Sequence, residues 1–181
     1  MTVPDPPAAP ESTPVDDFSD SHRGILCALR AFSTLPELAS AADRSRRVGA
    51  ATLRLFEDAV LPHHGDEESE LFPAVISSAA PGEERSRVEA IVARLVAEHR
   101  SVESFWKTLK PAVKRAAAGI DASLDAEAVA ALVYAYNRHA AFEELEFLPL
   151  AREILGRNGN HMAALGLSLH MRHMPHPVAY I

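Results

Sequence analysis

A single cysteine, Cys27, stands among 181 residues. No internal disulfide can form, and a reducing compartment is the natural setting, so a cytoplasmic location is expected. There is no glycine-rich phosphate loop and no basic stripe. A net charge of −7 and a pI near 5.7 set the chain against nucleic acid, whose phosphates an acidic surface repels. The apolar runs are far too short to span a bilayer, and no basic n-region precedes an apolar stretch at the N-terminus, so no membrane partner is expected. Nor does any segment of useful length alternate polar and apolar residues with period two, which leaves little room for strands. What is present is 48% hydrophobic and 24% charged residues at a mean hydropathy of −0.05. That is the balance of one soluble domain, long enough to bury a core without cross-links.

Residues 1–17 carry five prolines and almost no large apolar side chain. They cannot bury enough surface to offset their ordering entropy and read as a disordered tail. Structure is expected from Phe18, with Ser19 or Asp20 capping a first helix whose stripe runs Phe18, His22, Ile25, Leu26, Leu29, Phe32. Pro36 ends or bends it. The spacing predicts a second helix from about Asp43 or Ser45, its inward face Val48, Thr52, Leu55, Phe56, Ala59, His63, Glu67, Leu71. Pro81-Gly-Glu-Glu is a helix start. The third helix then shows Val88, Ile91, Val92, Leu95, His99, Val102, Glu103, Trp106 and Leu109, ending before Pro111. After the turn at Gly119, the fourth shows Val129, Leu132, Tyr136, His139, Glu143, Phe147 and Leu150 and ends near Gly156. A short fifth helix follows Asn158 or Asn160. The expected architecture is all-α, an antiparallel up-down four-helix bundle over residues 18–156, with 157–181 forming the short helix and a tail.

Each long helix places one histidine on its apolar stripe: His22, His63, His99, His139. A single one reads as a core histidine bonded to a carbonyl. Four together, two with a carboxylate one turn later on the same face (His63/Glu67 and His139/Glu143), need a cation, and the stripes contain no Lys or Arg. Imidazole and carboxylate suit iron, manganese or zinc. Glutamates on different helices could each bridge two ions. The neighbouring pair His64/Glu68 lies about 100° away round the helix and reads as partly exposed. The C-terminal histidines His161, His170, His173 and His176 have no Cys, Asp or Glu near them and read as surface residues. Cys27 reads as a small buried hydrophobe, and Tyr134, Tyr136 and Trp106 as core or rim.

Two stretches repeat this chemistry 76 residues apart, HHGDEESELFP at 63–73 and HAAFEELEFLP at 139–149. HxxxEExxLFP, the Glu98-His99 pair and HxxxEExxFLP together resemble the hemerythrin-like HHE cation-binding domain over roughly residues 18–156. The resemblance implies a four-helix bundle around a non-haem di-iron centre with ligands His22, His63, Glu67, His99, His139 and Glu143, the two glutamates bridging. Oxygen-carrying hemerythrins place two histidines one turn apart on the third helix; here Glu103 follows His99 and Leu95 precedes it. Glu103 is a candidate seventh ligand, its alternative an exposed residue at the edge of the stripe. A carboxylate there makes the site harder and more anionic, favouring ferric iron or manganese over reversible oxygen carriage. Glu144 lies at the spacing the oxygen carriers use for their second bridge, but Glu143 mirrors Glu67.

Three classes of function remain. The first is a di-iron binding protein taking oxygen, nitric oxide or peroxide at the metals, for sensing, storage or detoxification. The second is a di-iron oxidase or peroxidase, although the Glu-x-x-His pairs of ferritin-like oxidases are absent. The third is a metal-free helical interaction module. Oligomeric state and biological partner are not readable.

Overall fold

The computed structural model describes the backbone of residues 14–120 and 122–157 and the side chains from residue 23 onward. Among the described residues every regular element is helical. Two compact units divide at Arg44/Ser45.

The first unit contains α1, Pro14–Ser33, and the start of α2, Leu35–Arg54. α1 begins at Pro14, ahead of the expected Phe18. Proline suits a first helical position because it has no N–H to leave unpaired. The break falls at Thr34, whose Oγ1 donates to the Ala31 carbonyl. Pro36 sits in the first turn of α2 and therefore starts a helix instead of ending one. Helix thus resumes some eight residues before the expected Asp43. The stripe Ile25, Leu26, Leu29, Phe32 is real in register but lies exposed, as does Cys27, against the expectation of burial. Two helical segments in a unit this small have too little apolar surface to enclose one another's side chains.

The second unit holds the core. From α2 the chain stays helical to Ser78 through α3 (Leu61–Asp66) and α4 (Phe72–Ser78), joined by π-helical turns at Leu55–Val60 and Glu67–Leu71. α5 is Glu83–Ala117; α6, Ala126–Phe142, continues into α7, Leu148–Gly156, through a third π turn, Glu143–Phe147. Each π turn runs straight into an X-Pro pair: Leu61-Pro62, Phe72-Pro73, Leu148-Pro149. Proline lacks the N–H that an α turn requires and its ring collides with the carbonyl four residues back, so the chain widens by one residue to clear it. The prolines that close both motifs therefore set the helical register of the acidic residues just before them.

α5 passes Pro111 instead of stopping there. Pro111 is exposed, while Leu109, Val113 and Ala116 keep the buried stripe going. α5 ends on a Schellman cap, Gly119 at φ 70 with its N–H on the Ala116 carbonyl and the Ile120 N–H on Arg115. Gly49 of α2 lies against the Val113 and Ala117 backbone, close enough that a side chain would crowd it.

Two apolar clusters stack along these helices. One joins Phe72, Val75, Val88, Val92, Leu95, Phe147, Ala151 and Ile154; the other joins Phe56, Val60, Val102, Trp106, Leu109, Val113 and Leu132. α5 meets them in the opposite order from the other two rods and so runs antiparallel to both. Trp106 stacks on Phe56 at 4.1 Å, and Phe72 meets Phe147 edge-on at 5.1 Å. Permitting scattered charges, one window within Arg23–Ser78 is long and apolar enough to match a membrane span by composition, which a count of uninterrupted apolar runs overlooks. The expected helix after Asn158 and the C-terminal histidines lie outside the described residues.

Asp125 caps α6, its Oδ1 accepting from the Glu127 and Ala128 N–H groups at 2.9 and 3.2 Å. Asp125→Ala should lower stability by about 1 kcal/mol, or roughly 3 °C in melting temperature, by calorimetry. An unchanged melt would show that the cap contributes nothing.

Candidate metal centre

Between the two apolar clusters every rod changes character. Val60 is followed by His64 and Glu67 before Phe72; Leu95 by His99 before Val102; Leu132 by His139 and Glu143 before Phe147. All five polar residues are buried. The order along each helix dictates one polar layer where three helices meet.

His64, His99 and His139 form one group whose nitrogens lie within 4.8 Å of one another, and His63, Glu67 and Glu143 form a second at the same limit. The rings of His64 and His99 stack at 3.9 Å, with His139 edge-on to both. Glu67 joins the groups: its Oε2 is 3.2 Å from His99 Nε2 and its Oε1 3.3 Å from His63 Nε2. His139 Nε2 lies 3.8 Å from Glu143 Oε2. Both nitrogens of His64, both oxygens of Glu67 and His99 Nε2 are sealed from solvent without a hydrogen-bond partner among the described residues. Buried groups of this kind carry a large desolvation cost unless something pairs with them, and imidazole nitrogens with carboxylate oxygens are the donor set of a transition-metal ion.

Of the residues expected in the site, Glu67, His99, His139 and Glu143 converge in the layer, and His63 joins them from its edge, its side chain 44% exposed. The side chain of His22 lies outside the described residues. His64 is a correction: expected at the rim, it is 1% exposed and central. The π turn at Leu55–Val60 takes one residue more than an α turn, so the inward positions are Phe56, Val60 and His64 instead of Ala59 and His63. The proline at 62 was the available signal. Glu103 belongs to neither group; Arg100 Nη1 holds it at 2.7 Å, and its carboxylate is 3.7 Å from His64 Nδ1. Glu68, read as peripheral, accepts from His99 Nδ1 at 2.8 Å. Glu144 is exposed. Trp106 is core, Tyr136 half-buried 6.0 Å from the His139 ring, and Tyr134 exposed.

Electrostatics follow from crowding. Burial, then His99 and His139, bring His64 down to about 3, so it stays a neutral ligand-competent ring. Burial also lowers His139, reinforced by His99. For His99 burial pulls down, but Glu67 and Glu68 outweigh it and its pKa is raised. Burial and the adjacent Glu67 push Glu143 up to about 9. Burial opposes ionisation of Glu67 as well, yet His99, the Glu143 proton and His63 bring it down to about 2. Two carboxyls this close keep one proton between them.

A helical protein whose core is divided by a buried layer of histidines and glutamates carries the donor set of a metal-binding helical domain. A family model described as Hemerythrin HHE cation binding domain matches residues 13–151. The chain belongs to that family, as the duplicated motif implied. Neither the curated proteins nor the solved structures contain a match.

The shared proton makes a prediction for the metal-free protein. Glu143 is protonated in the fold up to about 9 but ionises near 4.5 when unfolded, so its contribution is complete below 4.5 and is lost as pH rises towards 9. Between pH 7 and 9 the melting temperature of metal-free protein should fall, and Glu143→Gln should flatten that slope. Parallel slopes in the two proteins would exclude Glu143 as the cause.

Proposed function

We propose that this layer holds two iron ions and that the protein binds a small diatomic ligand or peroxide there, for sensing, storage or detoxification. The observation carrying the proposal is the pairing of His64/His99/His139 with His63/Glu67/Glu143, joined through Glu67. Six donors in two contiguous groups suit two ions better than one. Glu67, within reach of His63, His99 and Glu143, is the natural bridge, with Glu143 beside it. From the family match over residues 13–151 we also infer a four-helix antiparallel bundle with His22 as a further ligand. Manganese or zinc suits the same donors.

When bound, the ions supply Lewis acidity and, for iron, electron exchange. The chain's own part is to exclude water with Phe72, Phe147 and Trp106, to present neutral imidazoles and to release the Glu143 proton on loading. The lack of Glu-x-x-His pairs favours binding over oxidase chemistry. The single cysteine and acidic charge support a cytoplasmic protein away from nucleic acid and membrane.

Protein loaded with ferrous iron and assayed by elemental analysis should retain about two ions per chain and melt above its metal-free form, since the ions bind only the folded state. Glu67→Ala and Glu143→Ala should each lose at least one ion, whereas Glu144→Ala should lose none. His64→Ala should lose more metal than His63→Ala. A chain that retained no iron, manganese or zinc, and melted identically with and without them, would be the metal-free interaction module.

A further inference from the structure

The polar layer has an outer side, built as consistently as the inner one. Each buried imidazole turns Nδ1 towards a carboxylate outside the two donor groups: His99 is hydrogen-bonded to Glu68 at 2.8 Å, while His139 faces Glu98 at 3.6 Å and His64 faces Glu103 at 3.7 Å, beyond hydrogen-bond distance. On the opposite edges, the Nε2 atoms of His99 and His139 face Glu67 and Glu143. The outer carboxylates are in turn held by arginines. Arg100 donates through Nη2 to Glu68 and through Nη1 to Glu103, so one guanidinium ties α5 to the π turn Glu67–Leu71. Arg94 donates to Glu98 at 2.9 Å and lies 3.5 Å above the Phe142 ring.

A neutral imidazole has one N–H. An anionic acceptor at Nδ1 keeps the proton there and leaves the Nε2 lone pair free for a cation. A glutamate side chain alone is a poor guarantor of that arrangement, because it could swing inward and compete as a ligand. A planar guanidinium that takes the second oxygen of Glu68 and reaches Glu103 as well restrains both from outside.

We propose that Arg100, acting through Glu68, is a positioning residue of the metal centre: it fixes His99 with Nε2 inward and, by holding Glu103 as well, keeps both carboxylates out of the coordination sphere. The proposal rests on the metal-centre reading. Its rival is an ordinary rim ion pair, worth little to anything, since Arg100 is 55% exposed. Against that rival, the carboxylate Arg100 holds is the one bonded to a fully buried histidine.

The test is anaerobic titration of the full chain with Co(II), following the ligand-field absorption and the apparent Kd, alongside melting of the metal-free proteins. Glu68→Ala and Arg100→Gln should weaken binding about 10–100-fold, the usual effect of removing an outer-shell partner. Glu68→Gln, whose amide oxygen still accepts from Nδ1–H, should recover most of the loss. Arg157→Gln, which breaks an ion pair with Glu84 remote from the layer, should leave Kd unchanged. If the parent binds Co(II) and Glu68→Ala and Arg100→Gln bind within about twofold of it, the positioning role is wrong and the metal reading stands. Equal losses in Glu68→Gln and Glu68→Ala would also overturn it. A parent that takes up no Co(II) overturns both.

Discussion

Two carboxyls and three imidazoles packed between two oily layers is an arrangement that the rest of this structure has to accommodate. Taking such groups out of water costs several kcal/mol each unless protons, hydrogen bonds or a cation replace the solvent. In the metal-free chain the layer manages with one proton on Glu143, an ionised Glu67 beside a raised His99, and two rings kept neutral by their neighbours. Several of its atoms still have no hydrogen-bond partner among the described residues. A bound cation would relieve the same deficits, and folding and metal uptake would then be coupled through one set of residues.

The apolar clusters make that coupling possible. Phe72 and Phe147 close one side of the layer; Trp106, Phe56 and Val60 close the other. They hold the three rods at a fixed depth, so that His64, His99 and His139 arrive at one level. They also keep the local dielectric low, which strengthens every charge interaction inside. The arginines remain outside, where their charge can steady the second rank of carboxylates without competing for the centre.

Proline is the less obvious architect. Three X-Pro pairs follow three π turns, and two of those turns carry the acidic halves of the repeated motif. In an unbroken α-helix the inward face would have passed through Ala59 and His63. The widened turn moves it to Val60 and His64, leaving His63 at the margin yet still beside Glu67. Both histidines of the HH pair thus reach the layer, His64 at its centre and His63 at its margin.

Helical class, the positions of three long helical rods and most of the inward residues could be read from periodicity, because burial of one helical face forces an apolar stripe, and a histidine or glutamate on it is conspicuous. Glu67, His99, His139 and Glu143 were legible for that reason, and the duplicated motif with its family resemblance named the chemistry. The role of His64 was not legible, since it depends on an added residue in a π turn that the proline suggests but does not compel. Glu68, Glu98 and Glu103 sit within a turn of histidines in the sequence or across from them on another helix; whether each points inward or backs an Nδ1 from outside is decided by how α5 meets its neighbours. The sequence by itself determined which groups must leave water. Only the tertiary structure decided which of them face the centre and which face its rim, because that depends on the relative rotation of packed helices, to which local periodicity is blind.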